Sequence, residues 1–317
     1  MKTSLIEQAA KRLEELKRAG VESAEAAPPV ASAPMAQPSP EAMVLALEGR
    51  THGSPAFVRG ERKQEARVDR ADADIRHIDI NFAKLKARGF VTPDAGSSQI
   101  AEEFRVIKRP IIRNALGIGG VHIKHGNLVM VTSALPGEGK TFTSVNLALS
   151  IAMEFNSTVL LVDGDVAHPT LPSLLGVPGS PGLLDLLLSG TSVADALIKT
   201  NVDRLSVLPA GSRHERATEL LASEQMAALL HELSARYPDR IIVFDSPPLL
   251  ATTEARVMAT HMGQIVMVVA ADQTTQHAVT QALATIDSCE VVLMMLNKSS
   301  HSDMSSYYGY YANRPER

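Results

Sequence analysis

The sequence predicts an α/β fold with a mostly parallel, doubly wound sheet, and three observations carry that prediction. Six short apolar runs of β type recur along the chain, at Leu128 to Thr132, Thr158 to Val162, Leu205 to Leu208, Ile241 to Phe244, Ile265 to Val269 and Val291 to Leu296. Helical stretches separate them, and strands that alternate with helices build a parallel sheet covered on both faces. The first run passes straight into a glycine-rich turn and then a helix, over residues 129 to 155. In sheets of this kind the ligand lies at the carboxyl ends of the strands.

Taken in order, the chain opens with Ser4 and Glu7 in capping-box spacing, followed by Leu5, Ile6, Ala9, Leu13 and Leu16 at helical spacing. This predicts an amphipathic helix over residues 1 to 20, which is either a docking element or a solvated helix with no partner. Residues 21 to 76 begin with Ala, Pro and Ser, as in residues 26 to 34. They continue through a basic stretch with Arg59, Arg62, Lys63, Arg67 and Arg70. Such a composition buries too little apolar surface to fold and reads as a linker. Order returns near Ile78. Ile80, Phe82, Leu85 and Lys86 suggest a helix, Thr92-Pro93 a break, and residues 100 to 107 a second helix. The folded domain is placed at 77 to 298, with a tail at 299 to 317.

A chain of 317 residues suffices for one large α/β domain with extensions. Its net charge of -4 gives no overall pull toward nucleic acid. The single cysteine, Cys289, excludes an internal disulfide and sits beside an apolar run, where an inert buried thiol in a reducing compartment is the simplest reading. No stretch approaches the length of a membrane span, and Met1-Lys2-Thr3-Ser4 leads into charged helix instead of a signal-peptide core. A cytoplasmic location is expected.

The turn reads Ala134-Leu135-Pro136-Gly137-Glu138-Gly139-Lys140-Thr141. Gly137 and Gly139 let the backbone direct its amides at a triphosphate, Lys140 reaches the β and γ oxygens, and the Thr141 hydroxyl can ligate magnesium. Residues 142 to 155 supply the required helix, with Val145, Leu149 and Ala152 on one face. The nucleotide is expected to lie against Pro136, Gly137, Glu138, Gly139, Lys140, Thr141 and Phe142. Ala134 stands where the usual pattern has its first glycine, at the opening of the loop, where a methyl group is tolerable.

Two more strands end in acids. Residues 159 to 162 run into Asp163-Gly164-Asp165, and residues 241 to 244 into Asp245-Ser246-Pro247-Pro248. Carboxylates at neighbouring strand ends, opposite a phosphate loop, are placed to hold magnesium directly or through water.

These motifs, with a tyrosine-rich end, resemble the bacterial tyrosine autokinases of capsule and exopolysaccharide systems, over about residues 96 to 317. The resemblance implies ATP and Mg2+ as cofactors. It places Lys140 and Thr141 on phosphate and metal, Asp163, Asp165 and Asp245 on the metal, and Asp163 as acceptor of the tyrosine proton. It also implies that Asn297, at the end of the last strand, contacts adenine. Glu102, Arg105 and Lys108 are similar to the family's ExxRxxR helix, which builds a ring of subunits. Here Lys108 replaces the final arginine, keeping the charge but losing the bidentate fork. The family's arginine two residues after the second aspartate is Ala167, followed by His168. The wording of residues 100 to 114 and the Pro-rich N-terminal extension look most like the subset found with exosortase-type exopolysaccharide clusters.

Of the five tyrosines, Tyr307, Tyr308, Tyr310 and Tyr311 fall within the last eleven residues, between polar flanks. A core has no use for such a cluster; the alternatives are a substrate tail and a sticky tail that packs on a partner. From Asn297 to Tyr307 an extended chain spans at most roughly 33 to 36 Å, enough for a neighbour's site or its own. By resemblance, the four tyrosines are the phosphoacceptors and transfer runs between subunits. The implied partners are further copies of the chain, a membrane-embedded polysaccharide co-polymerase that activates the kinase at the inner face of the membrane, and a phosphotyrosine phosphatase.

Two other readings share these motifs. A MinD/ParA-like partitioning ATPase has the same sheet and acids but carries a signature lysine where this chain has Leu135. A nucleotide-gated scaffold without catalysis would have no need of the full set of acids.

Overall fold

The computed structural model describes residues 76–299, apart from 95, 97, 121, 237 and 238. The expected N-terminal helix with Ser4 and Glu7, the linker up to residue 75 and the tail tyrosines Tyr307, Tyr308, Tyr310 and Tyr311 lie outside the described residues.

Six strands correspond to the six apolar runs: β2 (Leu128–Ser133), β3 (Thr158–Asp163), β5 (Leu205–Leu208), β6 (Arg240–Asp245), β7 (Gln264–Ala270) and β8 (Val291–Asn297). Two short ones join them, β1 (Arg76–Ile78) and β4 (Ile198–Thr200). The order across the sheet is β1-β4-β5-β3-β6-β2-β7-β8, parallel at every pairing except β4 with β5. The pleat sends alternate residues to opposite faces, and both faces are buried. Val129, Val131, Val159, Leu161, Ile241 and Val243 enter one core, while Leu128, Met130, Leu160, Val162, Ile242 and Phe244 enter the other.

The first core is closed by α1 (Phe82–Ala87), α2 (Gln99–Ala115) and α3 (Lys140–Ala152). Behind the second lie α5 (Leu183–Ser189), α7 (Ala217–Leu221), α8 (Glu224–Arg236), α9 (Thr253–Ala259) and α10 (Gln276–Leu283). The short α4 (Leu171–Leu175) and α6 (Val193–Ala196) complete the set. Among the described residues no helix is long and apolar enough to cross a membrane. Cys289 is half-buried, and burial pushes its thiol pKa up, which keeps it protonated and unreactive.

Helix α2 runs eight residues beyond the expected end at 107, through Pro110. Proline there removes the bond to the Val106 carbonyl, and Val106 lies on the exposed side, 57% accessible, where water can replace the lost donor. On the opposite side Ala101, Phe104, Lys108 and Ile111 are buried at helical spacing. Lys108 therefore parts company with Glu102 and Arg105, which stay exposed and pair with each other. Its ammonium, 4% accessible, donates to the Ser150 carbonyl at 2.6 Å and meets Glu154 at 2.8 Å. It thus caps the carboxyl end of α3, where unpaired carbonyls favour a cation. The hydrogen bond from Lys108 is the main reason the Glu154 pKa is held low. Glu154 keeps Arg109 at 3.6 Å, but the buried Ser150 carbonyl loses its donor, so Lys108→Ala should cost about 1–2 kcal/mol in urea unfolding with an unchanged m value.

Candidate active site

The phosphate loop follows β2, and its backbone is shaped by Gly137 (φ 81°) and Gly139 (φ 100°), both left-handed and both poorly suited to a side chain. Left-handed turns of this kind gather successive amides on one side as an anion nest. The carbonyls then point elsewhere and need donors of their own. Ser133 Oγ donates to the Leu135 carbonyl at 2.7 Å, and the Thr143 amide to that of Gly139 at 2.9 Å. Glu138 is 3% accessible. Its carboxylate accepts from the Leu135 amide at 2.6 Å, the Ala270 amide at 3.3 Å and the Thr274 hydroxyl, fastening the loop to the end of β7. Asn297 ends β8 with its side-chain nitrogen 2.9 Å from the Glu138 carbonyl.

Lys140 and Thr141 open α3, both partly exposed, with the Thr141 hydroxyl 3.2 Å from that of Thr170. Phe142 packs its ring into the first core, with centroids 5.0 Å from Phe90 and 6.5 Å from Phe104. Pro136 is exposed at the loop's crest.

Asp163 and Asp245 are register partners at the ends of the adjacent strands β3 and β6. Between them the Gly164 amide donates to the Asp245 carbonyl at 2.7 Å, and a Cβ at Gly164 would come within 2.7 Å of Met258 Cε, so the strand ends close tightly. Asp163 accepts from the Leu171 amide through one oxygen, at 3.1 Å, and Asp245 from Ser144 Oγ, at 3.0 Å. The other oxygen of each, Asp163 Oδ1 and Asp245 Oδ2, is buried with no hydrogen-bond partner. Burial, then the Asp245 carboxylate, pushes the Asp163 pKa up to about 8. Burial pushes Asp245 up to about 6, against the pull of the Thr141 and Ser144 hydroxyls and of Lys140. Asp165 stands nearer solvent and accepts from the His168 amide at 3.1 Å; burial raises its pKa, while that bond and Lys140 oppose the rise. Ala167 is exposed and brings no charge.

The arrangement therefore brings Lys140, Thr141, Asp163, Asp165 and Asp245 to one end of the sheet, beside the loop. Two buried carboxylate oxygens without donors suit a divalent cation, because an unmet buried acceptor is costly and a cation repays it. Among the described residues no trio of His, Cys, Asp or Glu side chains forms a closed cage. Magnesium needs none, since it is held by one or two carboxylates with phosphate oxygens and water. Sequence reasoning missed Ser144, which orients Asp245 from the position one turn after Lys140, and the side-chain role of Glu138.

A family model for the AAA domain matches residues 127–298. The chain is 34% identical over 221 residues to the putative tyrosine-protein kinase CapB of Staphylococcus aureus, spanning 69% of this chain and 92% of that one. It is 33% identical over 188 residues to the tyrosine-protein kinase YwqD of Bacillus subtilis, spanning 59% and 78%. Against the tyrosine-protein kinase wzc of Salmonella typhimurium it is 32% identical, spanning only 26% of that longer chain. Among solved structures, the chimerical protein CapA2B2 superposes with a TM-score of 0.55 at 26% identity, over 73% of this chain and 98% of that one. The BceF tyrosine kinase domain gives 0.53 at 26% identity, over 73% and 86%. With nearly the whole length of a CapB-type kinase matched, and with the loop and acids set on its sheet as described, the chain belongs to the bacterial tyrosine-protein kinases.

Proposed function

We propose that the chain is an ATP- and magnesium-dependent protein-tyrosine kinase whose substrates include Tyr307, Tyr308, Tyr310 and Tyr311 of its own tail. The observation that carries this reading is the pair of unpartnered carboxylate oxygens on Asp163 and Asp245, opposite a phosphate loop. Magnesium held there by Asp163 and Asp245 would supply positive charge to neutralise the charge that develops on the transferred group. Lys140 holds the β and γ phosphates, the loop amides orient them, and Ser144 fixes the carboxylate of Asp245. Asp163, once ionised, accepts the proton of the attacking tyrosine hydroxyl, and Asp165 stands at the open side to complete the metal's surroundings. Asn297, whose side chain binds the Glu138 carbonyl, would lie on the side from which the base approaches.

Strand β8 is parallel to β7 and ends beside the loop, so the last described residues lie at the mouth of the site. Transfer between subunits of a ring, with Glu102 and Arg105 exposed on α2 at the contact, fits this position. Phosphorylation of all four tyrosines would add roughly -6 to -8 charges. The tail would then be repelled by the three aspartates, and the ring would come apart until a phosphotyrosine phosphatase resets it. A membrane-embedded co-polymerase as activator, at the inner face of the membrane, and a role in exopolysaccharide synthesis or export complete the proposal.

The partition-ATPase reading is disfavoured by Leu135, an aliphatic side chain 39% accessible where that family needs a lysine. The test is to incubate purified protein with magnesium ATP and map phosphotyrosine by mass spectrometry, with Lys140→Met and a chain truncated before Tyr307 as controls. Phosphate on the tail tyrosines that vanishes in Lys140→Met is the expected result. ATP hydrolysis with unmodified tyrosines, even with the activator's cytoplasmic segment present, would favour the ATPase or scaffold.

A further inference from the structure

Two of the loop's outward carbonyls are served from the far end of the sequence. Asn297 donates to the Glu138 carbonyl at 2.9 Å, and Lys298 Nζ donates to the Gly137 carbonyl at 2.7 Å. Residues 137 and 138 lie at the crest of the phosphate cradle, so these bonds grip its back. The fit is close: a Cβ on Gly139 would lie 2.1 Å from the Asn297 side-chain nitrogen. Lys298 itself has a left-handed backbone, φ 60°, an unusual conformation for a long side chain. The turn coincides with the return of its ammonium to the loop. The Asn297 carbonyl is in turn bound by the Ala271 amide at 2.8 Å, close to the Ala270 amide that Glu138 accepts from.

We infer that Asn297 and Lys298 form a clasp that holds the phosphate loop in its nucleotide-receptive shape and ties it to the root of the tyrosine tail, making Lys298 a positioning residue for ATP. A nest presents its amides only while its carbonyls are satisfied on the other side. The clasp supplies that satisfaction from Asn297, the last residue of β8, and from Lys298, the residue after it. Because the grip and the cradle are one hydrogen-bonded unit, nucleotide binding and tail-root order are linked, and linkage is reciprocal. A tail drawn away toward a neighbouring site would loosen the ATP cradle of its own subunit.

This inference rests on the kinase reading, so its test reads nucleotide binding and not phosphorylation. Full-length protein is titrated calorimetrically with magnesium and a non-hydrolysable ATP analogue, and amide exchange at residues 296–299 is followed in parallel. Lys298→Met should weaken binding about fivefold and Asn297→Ala about tenfold, because water screens the exposed Lys298 bond whereas the Asn297 bond is partly buried. Lys298→Arg should restore most of the loss. Because Lys298 is exposed, the thermal midpoint of nucleotide-free Lys298→Met should stay within about 1 °C of wild type. The analogue should slow exchange at 296–299 in wild type more than in Lys298→Met. Unchanged affinity in both variants, or equal losses in Lys298→Arg and Lys298→Met, would overturn the clasp. Absence of binding by wild type would instead overturn the nucleotide reading beneath it.

Discussion

Lys140→Met should lower the rate of tyrosine phosphorylation about 10²–10³-fold while leaving the protein folded. Lys140 is partly exposed at the first turn of α3, and nothing in the core depends on it. Its loss removes a cation aimed at the charge on the transferring phosphoryl group, an interaction that strengthens toward the transition state. Asp245→Asn should give a loss of similar size for a different reason: it keeps the bond from Ser144 but removes the buried charge that holds the metal. The two substitutions act on one assembly, so the double variant should lose little more than the worse single one. Single-turnover rates of phosphotyrosine formation at saturating magnesium ATP would show this. Fully additive losses would mean that the two residues serve separate steps.

How far this could be read in advance differed by residue. The long inner strands were legible because each is a run of apolar residues buried on both faces, and a parallel sheet leaves them no polar side to show; the edge strand β8 was legible from its apolar run alone, with Met294 and Leu296 exposed. Strands β1 and β4 were not. Each has three residues, and Arg76-His77-Ile78 is held by bonds from the Arg76 guanidinium to the carbonyls of Ser180, Pro181 and Ala196, more than 100 residues away. The boundary expected between residues 76 and 77 accordingly falls inside β1, which begins at Arg76. The motif residues at the strand ends were legible because their chemistry requires specific types at a fixed offset from an apolar run. Lys108 was expected beside Glu102 and Arg105 at a subunit contact, although its spacing from Phe104 and Ile111 already placed it on the buried stripe. Glu138 sits inside the motif, yet its side chain is spent on Ala270 and Thr274, and no local pattern announces partners 132 and 136 residues away.

Asp163→Asn should abolish tail phosphorylation and yet make the metal-free protein more stable at neutral pH. In the unfolded chain both strand-end aspartates titrate near 3.8, whereas in the fold burial, joined at Asp163 by the Asp245 carboxylate, raises Asp163 to about 8 and Asp245 to about 6. Between those values the folded state retains protons that the unfolded state has released, so stability falls as pH rises. The penalty is absent at acid pH below the unfolded value, grows through the interval, and is complete once pH exceeds the folded value. A tenfold difference in proton affinity between the folded and unfolded states is worth about 1.36 kcal/mol, so at pH 7 the buried pair costs on the order of a few kcal/mol. Asparagine keeps an oxygen for the Leu171 amide and carries no charge to desolvate. The variant should therefore melt several degrees higher, at roughly 2–4 °C per kcal/mol for a protein of this size. Its thermal midpoint should also vary less between pH 5 and pH 8 than that of wild type. Magnesium with nucleotide should flatten the wild-type slope by displacing those protons, and the expelled protons should appear as a buffer-dependent binding enthalpy that Asp163→Asn largely lacks. A variant no more stable than wild type at pH 7.5 without metal would mean that the two carboxylates are not held dry and apart from a counter-charge. The same desolvation that burdens the empty fold is what makes the site bind a divalent cation tightly, so stability lost there is the physical counterpart of function.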